Sequence, residues 1–282
     1  MNIAYPFQKF QDWFTQQWVI WRGRKLDNSK DKWLLGPFGN VNGIGKIFIN
    51  QLAEKENLVI DKQQSSGLIP EVKKLIEDDG DFERLSNQVV DFYQQTSAYS
   101  LGLKVHWNPY FKIFGWLVNR MFSNRINQLN IPLKNNTGDE IIESEIINLL
   151  DSLSGEIKYT FWLRSFRNSN TVIYTGIYGL CELPNGDKCV KAIFPLPNGS
   201  ATVILKPSVT DTGGLILDAS GKQFGDAGFY FLMKDTKGQY WSRYIPSFKD
   251  TLHIYSQDEN LIANQIMKIW GVKILEFNYK IY

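Results

Sequence analysis

The chain has 282 residues, 43% of them hydrophobic and 14% aromatic, which is enough to bury a sizeable core without metal or disulfide support. With 31 basic and 29 acidic side chains the net charge is +2, too small for the overall field to attract nucleic acid or another strongly charged partner. The longest strongly apolar stretch, Tyr110 to Phe122, is broken by Lys112, Asn119 and Arg120 and falls short of the roughly 20 residues of a spanning helix, so no stable membrane insertion is expected.

Met1-Asn-Ile-Ala-Tyr-Pro has neither the basic start nor the apolar core of a secretory signal, and the expected location is the cytoplasm. From Tyr5 to Trp21, the residues Phe7, Phe10, Phe14, Trp18 and Trp21 recur at spacings of three and four, predicting a helix with one aromatic face. That face is expected to dock on the rest of the protein. Peripheral contact of residues 5–21 with a membrane is the alternative, weakened by an opposite face rich in Gln rather than Lys or Arg.

The run Gly36-Pro-Phe-Gly39-Asn-Val-Asn-Gly43-Ile-Gly45-Lys46 fails as a nucleotide loop. A P-loop needs glycine where Asn40 stands and a hydroxyl where Ile47 stands, and the dinucleotide pattern needs glycine where Phe48 stands. It reads as a turn feeding a short helix over Lys46 to Glu56, and no cofactor is expected. A polar linker near Lys62 to Gly67 precedes a short helix after Pro70. Asp81 opens another, running through Val89, Val90, Phe92 and Tyr93.

Tyr99, Leu101, Leu103, Val105 and Trp107 alternate as a half-buried strand does, with His106 on the other face. Asn108-Pro109 then caps a predicted helix from Tyr110 to about Ile126. Glu140 to Leu150 admits helix or strand, and helix is the expectation. From Gly155 onward, strands of about eight residues are separated by turn clusters such as Arg167-Asn-Ser-Asn170, Pro184-Asn-Gly-Asp187 and Asp235-Thr-Lys-Gly238. Asn260 to Trp270 carries Ile262, Ile266 and Ile269 at helical spacing, Gly271 stops it, and Val272 to Ile281 is a last strand. The expected fold is α+β: a mainly helical region over 1–150 with one strand near 99–107, then an antiparallel β-meander or barrel over 151–282 with a helix near 260–270.

Cys181 and Cys189 flank the Asn185-Gly186 turn at equal offsets. This spacing allows a cross-strand disulfide, although a cytosolic address favours two reduced thiols. One turn with two thiols, and histidines only at 106 and 253, gives no metal site. In Thr251-Leu-His-Ile-Tyr255, alternation puts His253 and Tyr255 on one side. Facing inward they would form an acid–base pair; facing outward they are an ordinary strand face. Asp226, between Gly225 and Ala227-Gly228 at the head of an apolar strand, is either a partly buried acid or a turn-former bonding its own backbone. Arg164, Lys191 and Arg243 lie in or beside apolar strands, where such charges pair with an anionic head group or with Asp226, or simply point at water; Tyr178 and Tyr230 are further expected ligand contacts.

The order meander, helix, closing strand resembles lipocalin-like barrels, and that resemblance implies binding of a lipophilic ligand. The runs Phe92-Tyr93-x-x-Thr96, Gln128-Leu-Asn-Ile-Pro132, Phe194-Pro-Leu-Pro-Asn-Gly199 and Phe224-Gly-Asp-Ala-Gly-Phe229 resemble stretches of uncharacterised bacterial proteins of similar length, which brings no activity with it. The expected function is binding of a lipophilic small molecule in a ring-lined pocket. The alternatives are a cofactor-independent isomerase, cyclase or dehydratase working through His253, Tyr255 and Asp226, or an interaction protein with a solidly packed sheet.

Overall fold

A computed structural model describes residues 4, 10–39, 46–62, 66–111, 140–168 and 172–282. In chain order the elements are α1 (Phe10–Arg22), β1 (Arg24–Lys25), α2 (Lys46–Glu56), β2 (Leu58–Asp61), α3 (Asp79–Arg84), α4 (Asn87–Gln94) and β3 (Leu101–Trp107). Then follow β4 (Glu140–Asp151), β5 (Ile157–Phe166), β6 (Val172–Glu182), β7 (Lys188–Leu196), β8 (Gly199–Val209), β9 (Leu215–Asp218), β10 (Gly228–Lys234), β11 (Tyr240–Tyr244), β12 (Phe248–Gln257), β13 (Asn260–Ile269) and β14 (Val272–Ile281). Strands make up 49% of the described residues, so β structure outweighs the helices there and the helical share of an α+β fold is small.

Tight hairpins set the strand order. Asn185-Gly186 turns β6 into β7, with Gly186 at φ 89 and Leu183 N–H bonded to Asp187 O, and this registers Cys181 directly opposite Cys189. Asp258 and Glu259 join β12 to β13, and Trp270 and Gly271 join β13 to β14. In each pair both residues have positive φ, the two-residue geometry whose twist matches that of the flanking strands.

Ten strands close into an antiparallel barrel in the order β8, β7, β6, β5, β4, β3, β14, β13, β12, β9, with β9 returning to β8. Closure depends on the length of β8. Its last residues, Lys206 to Val209, pair with β9, while Gly199 to Ile204 pair with β10, which carries β11 and β1 outward as a flap. The barrel crosses residue 150, since β3 and β4 are two of its staves.

Alternation decides what faces inward. Leu101, Leu103 and Val105 of β3 point into the same core as Leu275, Phe277, Tyr279 and Ile281 of β14, and Val190, Val203, Leu215, Ile254 and Ala263 join them from the other staves. The 66–99 segment plugs this core. Leu68, Val72, Leu75, Val89, Phe92 and Tyr93 are buried in it, and the segment is tied to the β8–β9 turn by Ser86 N–H on Gly213 O and to the end of β12 by Ser86 against Ser256. Outside the barrel, α2 packs Phe48, Ile49 and Leu52 on Ile147, Leu149 and Phe161. Each ring or aliphatic chain fully buried there contributes roughly 1.5 to 3 kcal/mol.

Several expectations are corrected. Asn260 to Ile269 is strand, not helix: Leu261 and Ala263 face the core, Ile262 and Ile266 lie on the other face, and Ile269 has the parity of Leu261, so the isoleucines that share a helical face are split between the two faces of the strand. Glu140 to Asp151 is also strand. The helix expected from Asp81 is two short ones broken at Leu85 and Ser86, and after Pro70 there is only a 3-10 turn, Val72–Lys74. Helix α2 and strands β3 and β14 stand as expected. Beyond Phe111, the helix expected to about Ile126 lies outside the described residues, as do Gln128 to Pro132 and residues 40–45 of the glycine-rich run.

Candidate functional site

Strand β5 turns Phe161 and Tyr159 outward toward α2, and so turns Thr160, Trp162 and Arg164 into the barrel. Arg164 is only 7% exposed. Its guanidinium lies 4.2 Å from the Trp162 ring centroid and 4.7 Å from that of Tyr174, its Nη2 donates to Tyr178 Oη at 3.2 Å, and it also bonds Tyr279. Register explains the grouping. Arg164 is opposite Tyr174 on β6, Tyr178 sits on the same face two alternations further, and Tyr279 comes from the inward face of β14.

Burial makes this cluster electrostatically unusual. It raises the hydroxyl pKa of Tyr174 and Tyr178, and of Tyr279 to about 12, so all three stay neutral donors at ordinary pH. Arg164 is ion-paired with no carboxylate among the described residues, and its buried Nε–H has no partner. Among the described residues Asp250 on β12 is a further inward charge. Burial pushes its carboxyl up to about 7 against the opposing effect of Gln265, whose Nε2 donates to both oxygens at 2.9 Å.

A cleft of about 820 Å³ opens on the outer wall, lined among others by Lys46, Tyr99, Ser144, Ser165 and Arg167 and by none of the Arg164 cluster. Ser144 is the register partner of Arg164, and its hydroxyl accepts from Trp162 Nε1 at 2.5 Å. The indole that stacks on the guanidinium is therefore hydrogen-bonded to the cleft wall. Elsewhere the cleft rim is polar, with Glu145 paired to Lys46 at 3.1 Å and Glu143 to Arg167 at 3.3 Å.

Of the residues singled out in the sequence, Arg164 meets Tyr178 inside the barrel, Tyr230 meets Asp226, and His253 meets Tyr255, and these three pairs do not converge. Lys191 faces the other side of the wall and donates to Trp33 O and Leu35 O, both at 3.0 Å, holding the 26–39 strap; burial lowers its pKa. Tyr230 lies under the same strap, edge-on to Trp33, and its hydroxyl donates to Asp226 O. Arg243 donates to Arg22 O at the end of α1.

His253 and Tyr255 face outward on β12, opposite Asn264 and Ile262, with ring centroids 4.6 Å apart. Asp226 accepts from the backbone N–H of Lys222 and Gln223 at 2.9 and 3.1 Å, the turn-forming arrangement, and no contact joins it to the His253 pair. Tyr174, Tyr279, Asp250 and Gln265 were missed. Tyr174 shares the parity of Tyr178, and that alternation was a readable signal; Tyr279 and Asp250 come from staves whose neighbours only the closed barrel defines. Cys181 and Cys189 are free and buried.

No family model matches the chain, and no solved structure does. A protein of Bacillus subtilis (strain 168), named uncharacterized membrane protein YndJ, is 26% identical over 265 residues, which cover 94% of this chain and 46% of that protein. The chain thus spans about half the length of this relative, and the resemblance to uncharacterised bacterial proteins holds, with no activity attached. The expectation of a cytoplasmic protein is overturned by a relative that matches nearly the whole chain and is named a membrane protein. No helix among the described residues is long and apolar enough to cross a membrane.

Proposed function

We propose that the barrel binds a lipophilic small molecule with an anionic head group, seated on Arg164 and the hydroxyls of Tyr178 and Tyr279. The observation that carries this reading is the buried Arg164 guanidinium, with an unpaired Nε–H and no carboxylate against it among the described residues. An ion buried without a counter-ion costs several kcal/mol. Two ring faces offset part of that, each worth about 2 kcal/mol when desolvated. An anionic ligand would offset more and would take up the idle donor. The rings of Trp162, Tyr174 and Phe194 around that seat offer apolar surface for a tail. A relative named as a membrane protein accords with a ligand of lipid type.

The enzymatic alternative has less support, because His253 and Tyr255 stand on the outer wall and Asp226 is engaged in its own turn. Thermal melting with oleate and with oleyl alcohol tests the proposal. Oleate in large excess is expected to raise the melting temperature by a few degrees, the alcohol by much less, and Arg164→Lys is expected to shrink the difference. Equal shifts, or none across a panel of fatty acids and lysophospholipids, would overturn it.

A further inference from the structure

Helix α1 is mounted the opposite way round from what its sequence suggests. Its buried residues are Asp12, Gln16 and Gln17 together with Val19 and Ile20, while Phe10, Phe14 and Trp21 are 74%, 56% and 61% exposed. On the inner face Gln16 Nε2 donates to Pro197 O at 2.8 Å, while Gln17, in line with Phe14 and Trp21, is covered by Ala4, whose N–H its Oε1 accepts at 3.2 Å. Val19 and Ile20 pack with Met233, and Trp18 meets Phe231 edge-on. Spacings of four and seven residues align Phe10, Phe14 and Trp21 in one outward ridge, about 16 Å long at the helical rise.

Charge identifies the occupant. Between residues 22 and 32 five basic side chains are exposed, Arg22, Arg24, Lys25, Lys30 and Lys32, against one exposed acid, Asp27. For a chain of net charge +2 this is a local concentration in the segment that follows the ridge, with Arg24 also over the Phe224 ring at 4.7 Å. A second copy docked ridge to ridge would bring two such clusters together and be repelled. A surface of anionic lipid head groups is attracted instead, and Phe and Trp side chains are suited to the boundary between head groups and acyl chains.

We infer that α1 is a lipid-surface contact: its aromatic ridge enters the interface of an anionic bilayer and the basic residues after it engage the head groups. The inference rests on α1 and the segment after it, independent of ligand binding at Arg164. The experiment is flotation of the full chain with vesicles of phosphatidylcholine alone and of phosphatidylcholine mixed with phosphatidylglycerol. Binding to the mixed vesicles is expected, falling with added salt. Phe14→Ser with Trp21→Ser is expected to weaken it roughly tenfold or more, and Arg24→Glu with Lys25→Glu to do the same. Light scattering without vesicles serves as the control on oligomeric state. Failure to float, equal binding to neutral vesicles, binding unchanged in either variant, or a wild-type dimer that the aromatic variant disperses would each overturn the inference. A folded aromatic variant that melts like wild type and no longer floats supports it.

Discussion

Gln265 Nε2 sits 2.9 Å from both carboxylate oxygens of Asp250, the two side chains entering the barrel from neighbouring staves β13 and β12. One amide cannot replace the hydration of a carboxylate, so burial prevails and the acid titrates near 7 instead of 3.8. Between those values the folded chain holds a proton that the unfolded chain has released. Stability therefore falls as pH rises through that window, by up to about 1.4 kcal/mol per pH unit from this one carboxyl. Asp250→Asn is expected to remove this slope. Urea midpoints of both proteins at about pH 5 and about pH 8 check it, since all other titrating groups are common to the two. Parallel pH profiles would show that Asp250 is not the group concerned.

Gly199 opens β8 where the strand must pass close under β10. A Cβ there would lie 2.4 Å from Leu232 O, a backbone atom that cannot swing aside. Gly199→Ala is expected to destabilise by about 1 to 3 kcal/mol through forced separation of β8 from β10. Chemical denaturation measures it, and an unchanged midpoint would mean that the flap adjusts freely.

Lys191 acts as a clasp, its ammonium on two carbonyls of the strap that covers Tyr230 and Leu232. In Lys191→Met two carbonyl oxygens lose their donor, at about 1 to 3 kcal/mol in total. Hydrogen exchange is expected to speed up selectively over residues 26–39, with the barrel staves unaffected. Uniform acceleration across β5 to β8 would assign Lys191 to the stability of the wall itself.

The thiols of Cys181 and Cys189 face each other across a hairpin and are buried, which pushes their pKa values up to about 11 and about 12. Few thiolates exist at neutral pH, and those are shielded. Iodoacetamide is expected to modify neither cysteine in the native protein and both in urea. Rapid native labelling would contradict the packing of the 26–39 strap over β6 and β7.

Much of the hairpin order was legible because it is local. Asn185-Gly186 and the spaced turn clusters specify their reversals within a few residues, and strict alternation from Leu101 to Trp107 specifies a strand whatever it pairs with. Residues 260–269 were misread because three isoleucines spaced by three and four satisfy a helix, while Leu261 and Ala263 acquire their inward role only from pairing with Ile281 and Tyr279. Arg164 and Tyr178 were recognisable as a charge and a ring in apolar strands. That they touch, and that Lys191, Tyr230 and Arg243 go elsewhere, depends on which wall face each strand presents.

The β-meander and its aromatic content were therefore set by sequence alone, through turn chemistry and period-two patterning that act over neighbouring residues. Closure into ten staves, the inward turn of Arg164 toward its tyrosines, and the outward turn of Phe10, Phe14 and Trp21 were decided by tertiary structure. Each depends on a pairing between segments far apart in the chain: β3 with β14, β9 with β8, α1 with β10. Period and propensity say which residues share a face, but only the closed sheet says whether that face looks onto the core or the solvent.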